Sequence, residues 1–195
     1  MTTYILAGGC DGDYPEFMTQ LGRVIHSKAA TPKILSCEFA VEDAQIKAKF
    51  LKHKVMFEER FGEFASFEMA SKDAFVEQAR SADVIYFHGG STDLLMEAMK
   101  AYPGIKAEFE GKIIVGASAG ANYLSSYGFS PSIDKARKGG GFVDAAVVVH
   151  YGSLGFENMT FNSRYWQQAV EAVREESGGK EVILLAEGTF AVIER

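Results

Sequence analysis

Gly116-Ala117-Ser118-Ala119-Gly120 sets a serine between glycines in the spacing G-x-S-x-G. A serine hydroxyl is a weak nucleophile until a neighbouring base takes its proton, and the spacing by itself is weak evidence. Its setting adds weight. The apolar run Ile113–Val115 leads directly into it and a helical pattern, Ala119–Ser126, leads directly out. That is the strand–turn–helix surround of a nucleophile elbow. So tight a turn needs small neighbours, and the residues flanking Ser118 are all Gly or Ala. The elbow would lift the hydroxyl clear of the backbone at a helix N-terminus, where free N–H groups favour a developing anion. The plain alternative is a glycine-rich turn with a capping serine.

A nucleophilic serine needs a base, and the chain has four histidines. His26 and His53 fall inside helical patterns away from strand ends and read as surface residues. His88 and His150 each close an apolar strand. His150 follows Val147-Val148-Val149 and precedes Tyr151-Gly152, so it is the expected general base. His88 leads into Gly89-Gly90, whose N–H groups are unobstructed. The amide of Gly90, with that of Ala119, is expected to form an oxyanion hole. The alternative there is an ordinary turn capped by Ser91 or Thr92.

The carboxylate that would orient His150 is Glu187, near the chain's end, or Asp134, between the serine and the histidine. Asp11, Asp13 and Asp93 more simply cap helices. Gly8-Gly9-Cys10-Asp11-Gly12 departs from G-x-G-x-x-G, so no dinucleotide site is expected.

These residues must be held by an ordered alternation of elements. Tyr4–Ala7, Lys33–Ser36, Phe64–Phe67, Val84–Phe87, Ile113–Val115 and Ala145–Val149 read as strands. Helical patterns over 14–28, 41–61, 73–82, 92–101, 119–126 and 162–176 separate or follow them. Residues 127–144 read as one long loop. Val182–Leu185 and Phe190–Ile193 read as a hairpin turning over Glu187-Gly188-Thr189. The alternation predicts one α/β domain spanning 1–195, a three-layer, doubly wound, mostly parallel sheet. In such sheets the site lies beyond the carboxyl ends of the strands.

Bulk properties bound the remaining classes. With 195 residues, 47% of them apolar, the chain can bury a sizeable core. A net charge of -6 argues against a nucleic-acid or anionic-membrane partner. No signal peptide or membrane span is visible, so a cytoplasmic location is expected. Cys10 and Cys37 follow strands and are expected as reduced thiols rather than a disulfide. No zinc-ligand spacing occurs.

At this point the residues resemble a known family. Gly116-Ala117-Ser118-Ala119-Gly120-Ala121-Asn122 is similar to the G-x-S-A-G-A-N signature of the serine peptidases of family S51, the aspartyl dipeptidases (dipeptidase E) and cyanophycinases. Phe87-His88-Gly89-Gly90-Ser91-Thr92-Asp93-Leu94-Leu95 resembles their G-G-[GN]-x-T segment and the Leu-rich helix after it. His150 resembles their catalytic histidine, and Leu185-Ala186-Glu187-Gly188-Thr189 their late E-G turn. The resemblance implies a class I glutamine amidotransferase-like fold in which serine replaces the amidotransferase cysteine. It implies no metal and no cofactor, and cleavage of small peptides after an acidic residue. An acidic preference calls for a cation near Ser118. Arg164, where the dipeptidases carry a similar arginine, is the expected one, with Arg137 and Lys138 as alternatives. Asn122, closing the signature, is the second expected substrate contact. One departure is plain: dipeptidase E has an aspartate where this chain has Ile133, one residue before Asp134. The chain is expected to act as a monomer or homodimer.

Two other readings fit the same residues. An α/β-hydrolase esterase shares G-x-S-x-G, though its histidine normally follows the last strand. A non-catalytic, amidotransferase-like binding domain would carry an elbow that does not react with a fluorophosphonate.

Overall fold

The computed structural model describes residues 1–9, 14–61, 65–156 and 159–195. Its elements run β1 (Thr3–Ala7), α1 (Pro15–Lys28), β2 (Lys33–Cys37), α2 (Asp43–Phe61), β3 (Ser66–Met69), α3 (Phe75–Ser81), β4 (Val84–Phe87) and α4 (Thr92–Met99). After a short 3-10 turn come β5 (Ile113–Ala117), α5 (Ala119–Leu124), β6 (Ser125–Ser130), β7 (Lys135–Lys138) and β8 (Val143–Val149). The small strands β9 (Gly155–Phe156) and β10 (Met159–Thr160), then α6 (Ser163–Glu176), β11 (Val182–Leu185) and β12 (Phe190–Glu194), complete the chain. Phe64, Cys10, Asp11, Gly12 and Asp13, named in the sequence reading, lie outside the described residues.

Six strands form the larger sheet in the order β12-β1-β5-β4-β2-β3. All its pairs are parallel except β1 with β12. Because successive side chains of a strand point to opposite faces, each buried strand feeds two cores. Leu6, Leu35, Ile85, Phe87 and Ile114 pack with Phe75 of α3, Leu95 of α4 and Tyr123 of α5. Ile5, Ile34, Val84, Tyr86 and Val115 pack with Leu21 and Ile25 of α1 and Phe57 of α2 on the other face. Each such side chain contributes about 1.5–3 kcal/mol on burial. The expected mixed α/β architecture with mostly parallel strands is present.

A second sheet departs from the single sheet expected. Its order is β11-β8-β6-β7, with β8 parallel to β11 and β6, and β6 antiparallel to β7. Two readings are corrected here. Residues 127–144 are not one loop; the end of β6, all of β7 and the start of β8 lie within them. Ser125-Ser126-Tyr127-Gly128-Phe129-Ser130 has little apolar periodicity, and it is a strand because β7 and β8 flank it. Nor do β11 and β12 form a hairpin. β11 joins β8 in the second sheet, while β12 pairs antiparallel with β1 in the first. The turn carrying Glu187 therefore crosses between the sheets. α6 covers the second sheet, burying Trp166, Ala169 and Val173 against Phe129, Ala146 and Val148. Among the described residues no helix is long and apolar enough to cross a membrane.

Candidate active site

β5 is buried along its whole length and delivers the chain into Ser118. Ser118 has φ 51° and ψ −106°, outside the regions open to most non-glycine residues. A conformation like this costs about 1–3 kcal/mol and persists only where the surroundings over-determine it. Two glycines make the strand-to-helix turn compact enough. A Cβ on Gly116 would lie 2.5 Å from the Gly120 carbonyl, and one on Gly120 2.2 Å from the Phe87 carbonyl oxygen. α5 thus packs backbone to backbone against β5 and β4. The Ser118 carbonyl accepts from the Asn122 N–H at 3.0 Å, which starts the helix.

His150 closes β8 with φ 56° and is buried, 3% exposed. Its Nε2 lies 2.7 Å from Ser118 Oγ, and its Nδ1 meets Glu187 Oε1. A carboxylate can only accept, so Nδ1 carries the proton and Nε2 is left to accept the serine hydroxyl. Three segments remote in sequence thus converge, and the end of β1 registers them. Ser118 N–H donates to the Ala7 carbonyl (2.9 Å), His150 N–H to Gly8 (3.2 Å) and Gly188 N–H to Gly9 (2.9 Å). Gly9 also backs the histidine–glutamate pair. A Cβ there would stand 2.5 Å from Glu187 Oε2 and 2.8 Å from His150 Nδ1. Gly8 and Gly9 are site residues that the sequence reading weighed only for a dinucleotide. Their signal was a glycine pair ending a buried strand, β1, which pairs with β5.

The other expected site residues are placed as follows. Asp134 is exposed on the turn between β6 and β7, in left-handed conformation. It faces Tyr165, whose phenol is pushed up first by burial and then by the Asp134 charge. Asn122, expected as a substrate contact, is only 2% exposed. Its Nδ2 donates to Thr92 Oγ1 (3.4 Å) and the Phe129 carbonyl (3.3 Å), tying α5 to α4 and β6. Arg137 is committed to Asp93 through both terminal guanidinium nitrogens, Nη1 to Oδ1 and Nη2 to Oδ2 at 2.9 Å, and these bonds hold Asp93 below the usual carboxylate range. Arg164 is exposed on the first turn of α6, and Lys138 is exposed at the end of β7. Cys37 is buried with a free thiol, which burial pushes up.

Gly89 is the glycine beside the serine. A Cβ on it would lie 3.3 Å from Ser118 Cβ and 3.8 Å from Oγ. Among the described residues, neither the Gly90 N–H nor the Ala119 N–H donates to another backbone group. A cavity of about 310 Å³ opens at the turn that follows His150, walled by Tyr151, Leu154, Phe161 and Trp166. Trp166 Nε1 donates to the Ser153 carbonyl at 3.1 Å and braces that turn.

His53 overturns its reading as a surface residue: it is 6% exposed. It lies on the inward stripe of α2 with Ile46, Phe50 and Phe57, spaced at three and four residues. That stripe was the signal available for it. Glu38, His53 and His88 form the one group of potential metal ligands among the described residues, their ligand atoms within 4.8 Å of one another.

The model of peptidase family S51 matches residues 52–195 of this chain. Two solved structures are similar over 100% of it. One is a peptidase from an acI-B1 Actinobacterium, at TM-score 0.67 and 20% identity, with 84% of that chain covered. The other is a candidate peptidase E protein from Listeria monocytogenes EGD-e, at TM-score 0.69 and 16% identity, with 99% covered. At these identities the likeness speaks to the fold. No curated protein matches the chain.

Proposed function

The chain belongs to peptidase family S51, and from that premise we propose that it is a serine-type peptidase acting on small peptides through Ser118, His150 and Glu187. The observation that carries this reading is the continuous hydrogen-bonded chain from Ser118 Oγ through the His150 ring to the Glu187 carboxylate.

In this reading His150 Nε2 takes the Ser118 proton as Oγ attacks the scissile carbonyl carbon. The carbonyl π electrons move onto oxygen, which faces the amides of Gly90 and Ala119. The C–N bond then breaks, and the imidazolium returns its proton to the leaving amine. A water molecule, deprotonated by the same Nε2, attacks the acyl-serine. The ester bond to Oγ breaks, and Ser118 regains its proton. Glu187 accepts from Nδ1–H throughout, holding the ring's orientation and stabilising its positive charge. Family membership leaves the α/β-hydrolase alternative without support.

The test is labelling by a fluorophosphonate probe together with turnover of small peptides. Wild type is expected to label at Ser118. Ser118→Ala should stay folded, lose the label and lose about 10⁶ in rate. A folded alanine variant with near-wild-type turnover would sink the assignment. His150→Gln should follow Ser118→Ala.

The substrate class of the family enters the proposal as cleavage after an acidic residue, with Arg164 as the cation. Arg137 is spent on Asp93, whereas Arg164 is exposed at an α6 N-terminus that itself favours anions. A bidentate guanidinium clamp should favour Asp-Leu over Asn-Leu and Ala-Leu by roughly 10². Arg164→Gln should erase that preference and keep the probe label. Equal rates on all three dipeptides in wild type would refute the acidic preference and leave the nucleophile assignment untouched.

A further inference from the structure

Next to Gly89, the glycine that faces Ser118, lies a buried polar cluster outside the Ser118–His150–Glu187 chain. His88 is 2% exposed and Glu38 1%. Ser36 Oγ donates to Glu38 Oε1 at 3.0 Å and lies 2.9 Å from His88 Nε2. His53 Nδ1 lies 2.8 Å from the same Glu38 oxygen. Since the Ser36 proton goes to Glu38, His88 Nε2–H must be the donor to Ser36. The protons then form one consistent chain, with His88 and His53 both directed toward Glu38.

The geometry does not suit a metal ion. The His53 and His88 rings stack at 3.9 Å with planes 9° apart. An imidazole binds a metal near its own ring plane, and two near-parallel stacked planes do not converge on one ion. What the stacking does is immobilise His88. Tyr86 covers it at 4.3 Å and Phe57 meets it edge-on at 5.7 Å. The backbone is pinned as well. His88 N–H donates to the Cys37 carbonyl (3.1 Å) and Ser91 N–H to the Ala40 carbonyl (2.7 Å), on either side of Gly89-Gly90.

We propose that Ser36, Glu38 and His53 are positioning residues that, through His88, hold the Gly89-Gly90 backbone against Ser118 and so set the geometry of the oxyanion donors. The inference rests on reading Ser118 as the nucleophile. It explains why a glutamate stands in the interior, where a carboxylate is stable only with partners for its charge. It also explains a neutral His88, which is held well below the usual histidine range by burial, then by the His53 and Lys49 charges.

The test uses the full chain labelled with carbonyl-¹³C histidine and ¹⁵N glycine. His88-Gly89 is the only His-Gly pair in the sequence, so one resonance reports the Gly89 amide. Ser36→Ala cuts the link from His88 to Glu38 with little change in volume, and Glu38→Gln removes the charge. Each is expected to move the Gly89 resonance and to lower kcat about ten- to a hundredfold with KM nearly constant, as for a misplaced donor. Lys54→Ala, on the outer side of α2, should change neither. If Glu38→Gln does not fold, Ser36→Ala decides. A Gly89 resonance that stays in place, or one that moves with kcat intact, overturns the proposal. A wild type that neither labels nor turns over would instead overturn the nucleophile reading, and the Gly89 resonance would still decide whether the network holds the loop.

Discussion

Glu187 keeps about a quarter of its side chain open to solvent while accepting from the buried imidazole of His150. The carboxylate is thereby open to solvent on one side and near enough to hold the ring on the other. An amide in its place can donate to Nδ1, which would put the ring proton on Nε2, facing the serine. Glu187→Gln is therefore expected to lower kcat by about 10⁴. Asp134→Asn, at a residue that faces Tyr165 from an exposed turn, is expected to leave kcat within about twofold of wild type, as for most surface changes. Steady-state kinetics on the two amides decides between the carboxylates that the sequence left open. Mild effects from both would mean that Ser118 and His150 act as a dyad.

The elements meet through backbone, and two glycine substitutions should separate stability from alignment. In Gly120→Ala the new methyl would stand 2.2 Å from the Phe87 carbonyl oxygen. Both partners are main chain in buried elements and neither can swing away. Overpacking of this kind costs about 1–3 kcal/mol or more, which for a chain of this size lowers Tm by about 2–4 °C per kcal/mol. Thermal unfolding should show it. In Gly9→Ala the methyl meets the ends of the Glu187 and His150 side chains, which can shift. That variant should keep more of its Tm than Gly120→Ala and yet lose kcat by about tenfold or more, because a small displacement of the base is expensive. If Gly9→Ala turns over normally, the backing role of Gly9 is wrong.

At the scale of the whole molecule, buried charge chemistry sets the acid limit. His88 is held below its ordinary value of 6.5 by burial first, then by His53 and Lys49. Below that pH the unfolded chain takes up the His88 proton while the folded chain resists it. The unfolded state then binds more protons, so stability falls as pH falls. The His88 contribution is complete above about pH 7 and declines from about pH 6.5 toward its lower folded value. Asp93, depressed below 3.8 by Arg137, adds a contribution present above that value and lost as pH drops through its folded one. Because Asp93 is largely exposed its share is small. Urea midpoints measured from pH 8 to 5 should fall below pH 6.5 in wild type. His88→Gln should be less stable at pH 8 and show a flatter decline. An equally steep decline in that variant would place the acid sensitivity elsewhere.

The sequence by itself determined the parts of this protein built from near neighbours. The apolar run of β5, the small residues around Ser118 and the helix that follows lie within a few positions of one another. Their pattern therefore specifies strand, turn and helix without reference to the rest of the chain. The same holds for His150 at the end of the Val147-Val148-Val149 run. Only the tertiary structure decided what depends on distant partners. β11 and β12 read alike as short apolar strands, and only pairing with β8 and β1 separated them into two sheets. That separation placed Glu187, rather than Asp134, on the His150 ring. Ser36, Glu38, His53 and His88 are scattered over β2, its following turn, α2 and the end of β4. A buried polar side chain is stable only with its hydrogen-bond partners in place, and these four become partners only when the sheet and its helices close around them.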